Sequence, residues 1–173
     1  MPLPPVSHET NLVLIGMPGA GKSTIGVLLA KATARAFLDT DVAIQAAEGR
    51  SLQQIIDRDG LETFCRIEEH HVLSLTCRST VIATGGSVVY SPAAMRHLAD
   101  GGIVVHLDLD LPSIARRLTN LATRGVVMAP GQTLSTLFAE RQPLYRHYAE
   151  ISIDCSEKTH EEVVREITDS IEA

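Results

Sequence analysis

Near its start the chain carries residues whose types and spacing suit phosphate chemistry. Gly16, Gly21, Lys22 and Ser23 fill every fixed position of G-x-x-x-x-G-K-[ST] in the run GMPGAGKST. Glycines there let backbone wrap an anion without obstruction by a Cβ, and the wrapped N–H groups and the following helix N-terminus face the charge. Lys22 is placed to reach terminal phosphates and the Ser23 hydroxyl to bind Mg²⁺. Gly19, Ala20, Gly21, Lys22, Ser23 and Thr24 are the expected nucleotide-binding residues. The motif specifies a nucleoside triphosphate and leaves its use open. Asp39 and Asp41 add two carboxylates whose spacing aims them differently. One could hold Mg²⁺ through water while the other meets a substrate hydroxyl; alternatively they cap a helix.

These residues must be positioned by regular elements. An apolar run over 12–15 reads as a buried parallel strand, and helical spacing follows over 25–34. A short strand over 36–38 leads into Asp39–Asp41, with helices over 42–47, 52–58 and 61–77 after it. Further strands are expected over 80–83, 103–107 and 151–154, and helices from Ser91, from Asp110 to about 118, and over 133–148. Thr159 and Glu162 form a capping box for a last helix. The irregular stretch 120–132, with Gly125, Pro130 and Gly131, reads as a mobile loop. Strands alternating with helices predict an α/β fold with a mostly parallel sheet, whose ligands bind beyond the carboxyl ends of the strands. The phosphate loop, Asp39–Asp41 and Gly85–Ser87 each follow a strand, so they should converge on one crevice.

Composition narrows the classes. With 173 residues and 45% apolar content, one domain over 11–173 is expected behind a loose, Pro-rich tail over 1–10. A net charge of −6 and only three Phe and three Tyr argue against nucleic acid as a partner. Arg116, Arg117, Arg124, Arg141 and Arg146 nevertheless gather in the C-terminal half, where a local anion site could form. Cys65, Cys77 and Cys155 form no paired motif, which fits free thiols in a reducing cytoplasm. No signal peptide and no membrane span are read from the sequence.

A regulatory GTPase would need N-K-x-D, which is absent, and Asp108 at the end of VVHLD only weakly imitates the acidic strand end of a motor ATPase. A small-molecule kinase fits better, since it needs a phosphate clamp, a metal, a carboxylate at the acceptor hydroxyl and cations over the phosphoryl group. On these residues the chain resembles the shikimate kinases. GMPGAGKST matches their phosphate loop, LDTDVAI their aspartate segment, and Glu140–Tyr145 their E-R-x-P-L-Y. Phe64–Glu68 is similar to their F-R-R-x-E, and Thr84–Ser87 to their T-G-G-G.

The resemblance implies a three-layer α/β/α fold with a five-stranded parallel sheet and a mobile lid over about 120–132. It implies ATP and Mg²⁺, with Asp39 and Ser23 at the metal, and Asp41 at the acceptor hydroxyl as the candidate base. Arg117 would stack on adenine, Arg124 would close from the lid over the phosphates beside Lys22, and Arg141 would bind the acceptor's carboxylate. Gly85, Gly86, Ser87 and Cys65 would complete the acceptor site. The implied reaction is phosphorylation of shikimate to shikimate 3-phosphate by a cytoplasmic enzyme, a monomer or at most a weak homodimer.

Three departures fall near that acceptor. Cys65 stands where the family has a second carboxylate-binding arginine, and Arg66 lies one helical step, about 100°, away from the same target. Ser87 replaces the third glycine, so its side chain is expected to intrude on the acceptor. Arg124-Gly125-Val126-Val127 replaces R-P-L-L. A changed acceptor, such as homoserine, another hydroxy amino acid or a sugar acid, and a non-catalytic ATP-binding regulator are therefore alternatives.

Overall fold

In the computed structural model, residues 6–118, 128–129 and 131–172 are described. The chain opens with β1 (Asn11–Ile15), all five residues of which are buried, and turns through the phosphate loop into α1 (Lys22–Ala32). β2 (Ala36–Asp39) leads directly into α2 (Thr40–Glu48), followed by α3 (Leu52–Asp59) and α4 (Leu61–Leu73). β3 (Thr80–Ala83), a single 3₁₀ turn (Val88–Tyr90), α5 (Pro92–Gly101), β4 (Gly102–Asp108) and α6 (Leu111–Arg117) come next. α7 (Leu134–Tyr148), β5 (Ile151–Asp154) and α8 (His160–Glu172) complete the fold.

The five strands form one all-parallel sheet in the order β2-β3-β1-β4-β5. β1 lies at its centre, with β3 on one side and β4 on the other, so the phosphate loop leaves the sheet where the strand order reverses. α1 and α8 pack together on the sheet, while α4 packs on α5, α5 reaches the sheet at β4 and β1, and α7 reaches it at β4. The main core is the apolar interior of β1, β3 and β4. Ile44, Leu52, Ile55 and Phe64 make a second, smaller core that ties α2, α3 and α4 together. That satellite carries the segment bearing Cys65 and Glu68.

Local chemistry explains the helix starts. Ser51 and Gln54 form a reciprocal capping box for α3, Ser91 caps α5 ahead of Pro92, and Asp110 caps α6. Thr159 and Glu162 pair at the head of α8 as their spacing predicts. α4 is shorter than the periodicity suggests: Ser74 donates its N–H to His70 and its hydroxyl to His71, which ends the helix before Cys77. The described part of the expected loose tail is held down, because Arg35 donates to the carbonyls of Ser7 and Thr10 and His8 bonds Ser79. No helix among the described residues is long and apolar enough to cross a membrane.

Candidate active site

The phosphate loop is shaped by its glycines. Gly21 caps α1 at φ 95°, a left-handed conformation that a Cβ would strain. Lys22, only 9% exposed, donates from Nζ to the carbonyls of Gly16 at 2.8 Å and Met17 at 3.0 Å. The ammonium is thus folded against its own loop. Burial lowers its pKa to about 8, opposed by the nearby Asp41 carboxylate.

β2 delivers the two aspartates to the same place. Asp39 caps α2: its Oδ1 accepts from the N–H groups of Asp41 at 3.0 Å and Val42 at 3.2 Å. Its Oδ2 accepts from Ser23 Oγ at 2.6 Å. The capping role that the sequence allowed is therefore present in Asp39, whose other oxygen remains bonded to the phosphate-loop serine. Asp41 makes no capping hydrogen bond among the described residues; it lines the cleft, and burial raises its pKa to about 6 against the pull of Lys22.

The opposite wall is the turn after β3. Thr84 donates N–H and hydroxyl to the Leu14 carbonyl, latching this turn beside the phosphate loop, and Thr40 accepts from the Gly85 N–H at 3.0 Å. A Cβ on Gly85 would lie 2.3 Å from Glu68 Oε1 and 2.7 Å from Asp41 Oδ1, so only glycine fits between the two carboxyls. A Cβ on Gly86 would lie 2.8 Å from Arg141 Nη1. Arg141 is 1% exposed, donates to Tyr90 Oη at 3.1 Å and lies 5.1 Å from the Tyr90 ring centre. Tyr145 fixes the turn from below by donating to the Gly86 carbonyl at 2.7 Å. The cleft, about 450 Å³, runs from Gly19, Lys22 and Ser23 past Asp41 to Gly86 and Arg141.

Sequence and fold comparisons agree on what this arrangement is. The family model for shikimate kinase matches residues 18–172. A shikimate kinase of Mycobacterium avium (strain 104) is 42% identical over 164 residues, spanning 93% of each chain. The belonging is decided by these matches. The chain belongs to the shikimate kinase family. A shikimate kinase of Mycobacterium tuberculosis (strain CDC 1551 / Oshkosh) is 40% identical over 158 residues, 90% of this chain and 89% of that one. Among solved structures, shikimate kinase from Acinetobacter baumannii in complex with shikimate superposes with a TM-score of 0.87 at 30% identity, covering 94% of this chain and 93% of that one. The Aquifex aeolicus shikimate kinase gives 0.80 at 31% identity, covering 94% and 96%. The family is one of small-molecule kinases that use ATP as phosphate donor.

The structure brings most of the expected family residues together and sets some apart. Gly19, Gly21, Lys22, Ser23, Thr24, Asp41, Gly85, Gly86, Ser87 and Arg141 all line the one cleft. Ala20 is fully buried beneath the loop, and Arg117 is exposed on α6 with Nη1 3.4 Å from the Ala20 carbonyl. Cys65, expected at the acceptor site, lines a second cavity together with Glu68 and Ser87, which also lines the cleft. Ser87 lines the cleft, and its hydroxyl donates to the buried Glu68 Oε2 at 2.6 Å. Arg66 is exposed and meets Thr63 and Glu62. Asp108 is held by Gln142 at 2.6 Å and by Arg146 at 3.6 Å, away from the cleft lining. Arg124, and most of the expected lid over 120–132, lie outside the described residues.

Glu68 is the residue whose part the sequence did not disclose. It is 2% exposed, and burial raises its pKa to about 7, with the Ser87 hydrogen bond opposing. Its place in F-R-R-x-E, one turn after Cys65, was the available signal.

Proposed function

We propose that this chain transfers the γ-phosphoryl group of ATP to a hydroxyl of shikimate, giving shikimate 3-phosphate. The observation that carries the reading is the placing of Asp41 and Arg141 against neighbouring glycines, a carboxylate at Gly85 and a buried cation at Gly86. That pair suits a small molecule with a hydroxyl to orient and a carboxylate to neutralise. The 30% identical Acinetobacter baumannii structure, solved with shikimate, supports the same choice.

In this reading Lys22 leaves its loop carbonyls to neutralise charge on the transferring group. Asp41 orients the acceptor hydroxyl and takes its proton; a carboxyl with pKa about 6 is a stronger base than an ordinary aspartate yet still ionised above neutral pH. Ser23 Oγ and Asp39 Oδ2, 2.6 Å apart, are hard oxygen donors of the kind Mg²⁺ takes, and would hold it there directly or through water. When bound, Mg²⁺ neutralises phosphate charge and aligns the donor. Arg141 fixes the acceptor's carboxylate. Arg117 is assigned to the adenine and Arg124 to the phosphates by the family resemblance.

A second reading, the same chemistry on a changed acceptor, is favoured by one observation: among the described residues, Arg141 is the only arginine that lines the cleft. Measurement of kcat/KM for shikimate beside homoserine and sugar acids decides between them. Shikimate is expected to lead, and a preference for either competitor overturns the proposal.

A further inference from the structure

Two cavities share one wall. Behind the main cleft, between α4 and the start of α5, lies a second cavity of about 200 Å³ lined by Cys65, Glu68, Ser87 and Tyr90 among others. Ser87 lines both. Glu68 is buried in the wall. Its Oε2 accepts from Ser87, while its Oε1 has no hydrogen-bond partner among the described residues. That unpartnered oxygen and Asp41 Oδ1 converge on Gly85, at 2.3 Å and 2.7 Å from the position of its absent Cβ.

A buried carboxyl keeps one free oxygen aimed only if its other oxygen is held. Here the holding donor is the Ser87 hydroxyl. Cys65 and Glu68 are three residues apart on α4, hence on one helix face, and both line the second cavity. The Cys65 thiol is pushed up chiefly by burial and also by the charge of Glu68. An arginine at position 65, as in F-R-R-x-E, would stand on the helix face it shares with Glu68, long enough to pair with that carboxyl as well as with an acceptor's carboxylate. Cysteine is too short to do so, and the cavity is left beside it. The side chain that replaces the third glycine of T-G-G-G supplies a donor to the same carboxyl. Two departures that look independent in the sequence thus meet at one group.

We propose that Ser87 is a positioning residue of the acceptor site, whose hydroxyl holds Glu68 with its free oxygen beside Asp41 in place of an arginine at position 65. The inference rests on the acceptor reading above, and its test is chosen to separate the two. The charges facing Glu68 are Asp41 from α2, Arg141 from α7 and Lys22 from α1, with Cys65 on its own helix. All are kept in Ser87→Ala, which removes one oxygen without changing the packing much.

The experiment compares the unaltered chain, Ser87→Ala, Cys65→Arg and the double variant by steady-state kinetics and by ¹³C NMR titration of the Glu68 carboxyl. Ser87→Ala is expected to raise KM for shikimate about tenfold while KM for ATP stays within about twofold. The Glu68 titration should move to higher pH, because a hydrogen bond to the ionised form is lost. Cys65→Arg added to Ser87→Ala should reverse both changes. An unmoved Glu68 titration or an unmoved KM for shikimate in Ser87→Ala overturns the proposal, and so does a defect that Cys65→Arg leaves in place. If the unaltered chain fails to phosphorylate shikimate, the proposed function falls, and the titration alone still decides whether Ser87 holds Glu68.

Discussion

The two ends of the cleft are built in different ways. The phosphate end is a continuous stretch, Gly16 to Thr24, shaped by backbone and followed by the first turn of α1. It is tied to the rest of the fold by Asp39, brought across by β2 and bonded to Ser23, and by Arg117 at the Ala20 carbonyl. The acceptor end has no such stretch. It is gathered from the start of α2, the middle of α4, the turn after β3 and the middle of α7, and its specificity is carried by side chains. A backbone-built site tolerates few changes, because each position answers to φ or to close approach. A side-chain site can exchange one group for another if the pair stays satisfied. The departures from the family pattern that touch described residues, Cys65 and Ser87, both fall at the acceptor end.

This contrast can be broken by experiment. The largest effect is expected at the phosphate end. Lys22→Met should reduce kcat at least ~10³-fold, since it deletes a charge aimed at the transferring group; near-normal turnover would show that the loop's geometry suffices without its cation. Asp41→Asn stands between the two ends. It should lower kcat ~10²–10⁴-fold through loss of the base, with ATP affinity by calorimetry unchanged. Weakened ATP binding in that variant would move Asp41 to the donor side. Arg141→Lys keeps the charge and loses the planar fork. It should raise KM for shikimate ~10–100-fold at nearly constant kcat, the loss of about 1.5–3 kcal/mol from a charged hydrogen bond. An equal rise in KM for ATP would refute the division into two ends.

The same contrast governs what was legible in the sequence. The order of elements, the parallel sheet and the phosphate loop followed from local periodicity and fixed spacing, and β3 and β5 were found with their observed bounds. The end of α4 was overrun because the hydrogen bonds of Ser74 back to His70 and His71 leave no periodic trace. Arg141 reads in isolation as an arginine on an exposed helix; its burial depends on Tyr90, 51 residues earlier in the chain. Ser87 was expected to obstruct the acceptor because residue size is visible in a sequence and side-chain direction is not. Its partner, Glu68, lies 19 residues away on another element. The phosphate end is thus local in sequence, and the acceptor end exists only after folding.

The smallest expected effect concerns stability and isolates Glu68 from catalysis. Its pKa is raised from 4.5 to about 7, foremost by burial, so the folded chain binds the proton more tightly than the unfolded one. The sign follows from linkage: the contribution is fully present below pH about 4.5 and is lost as pH rises through about 7. Glu68→Gln keeps the shape and removes the ionisation. Its melting temperature should equal that of the unaltered chain near pH 4.5 and exceed it by about 5 °C at pH 8, where the unaltered chain must bury a carboxylate. Asp41, with its pKa raised to about 6, titrates within that window in both chains and largely cancels in the difference between them, which reports Glu68. A melting difference that is flat from pH 4.5 to 8 would mean that Glu68 ionises as an ordinary surface carboxylate does. The acceptor end would then lack the buried, weakly acidic group that sets it apart from the phosphate end, where Asp39 is held by two N–H groups and a hydroxyl.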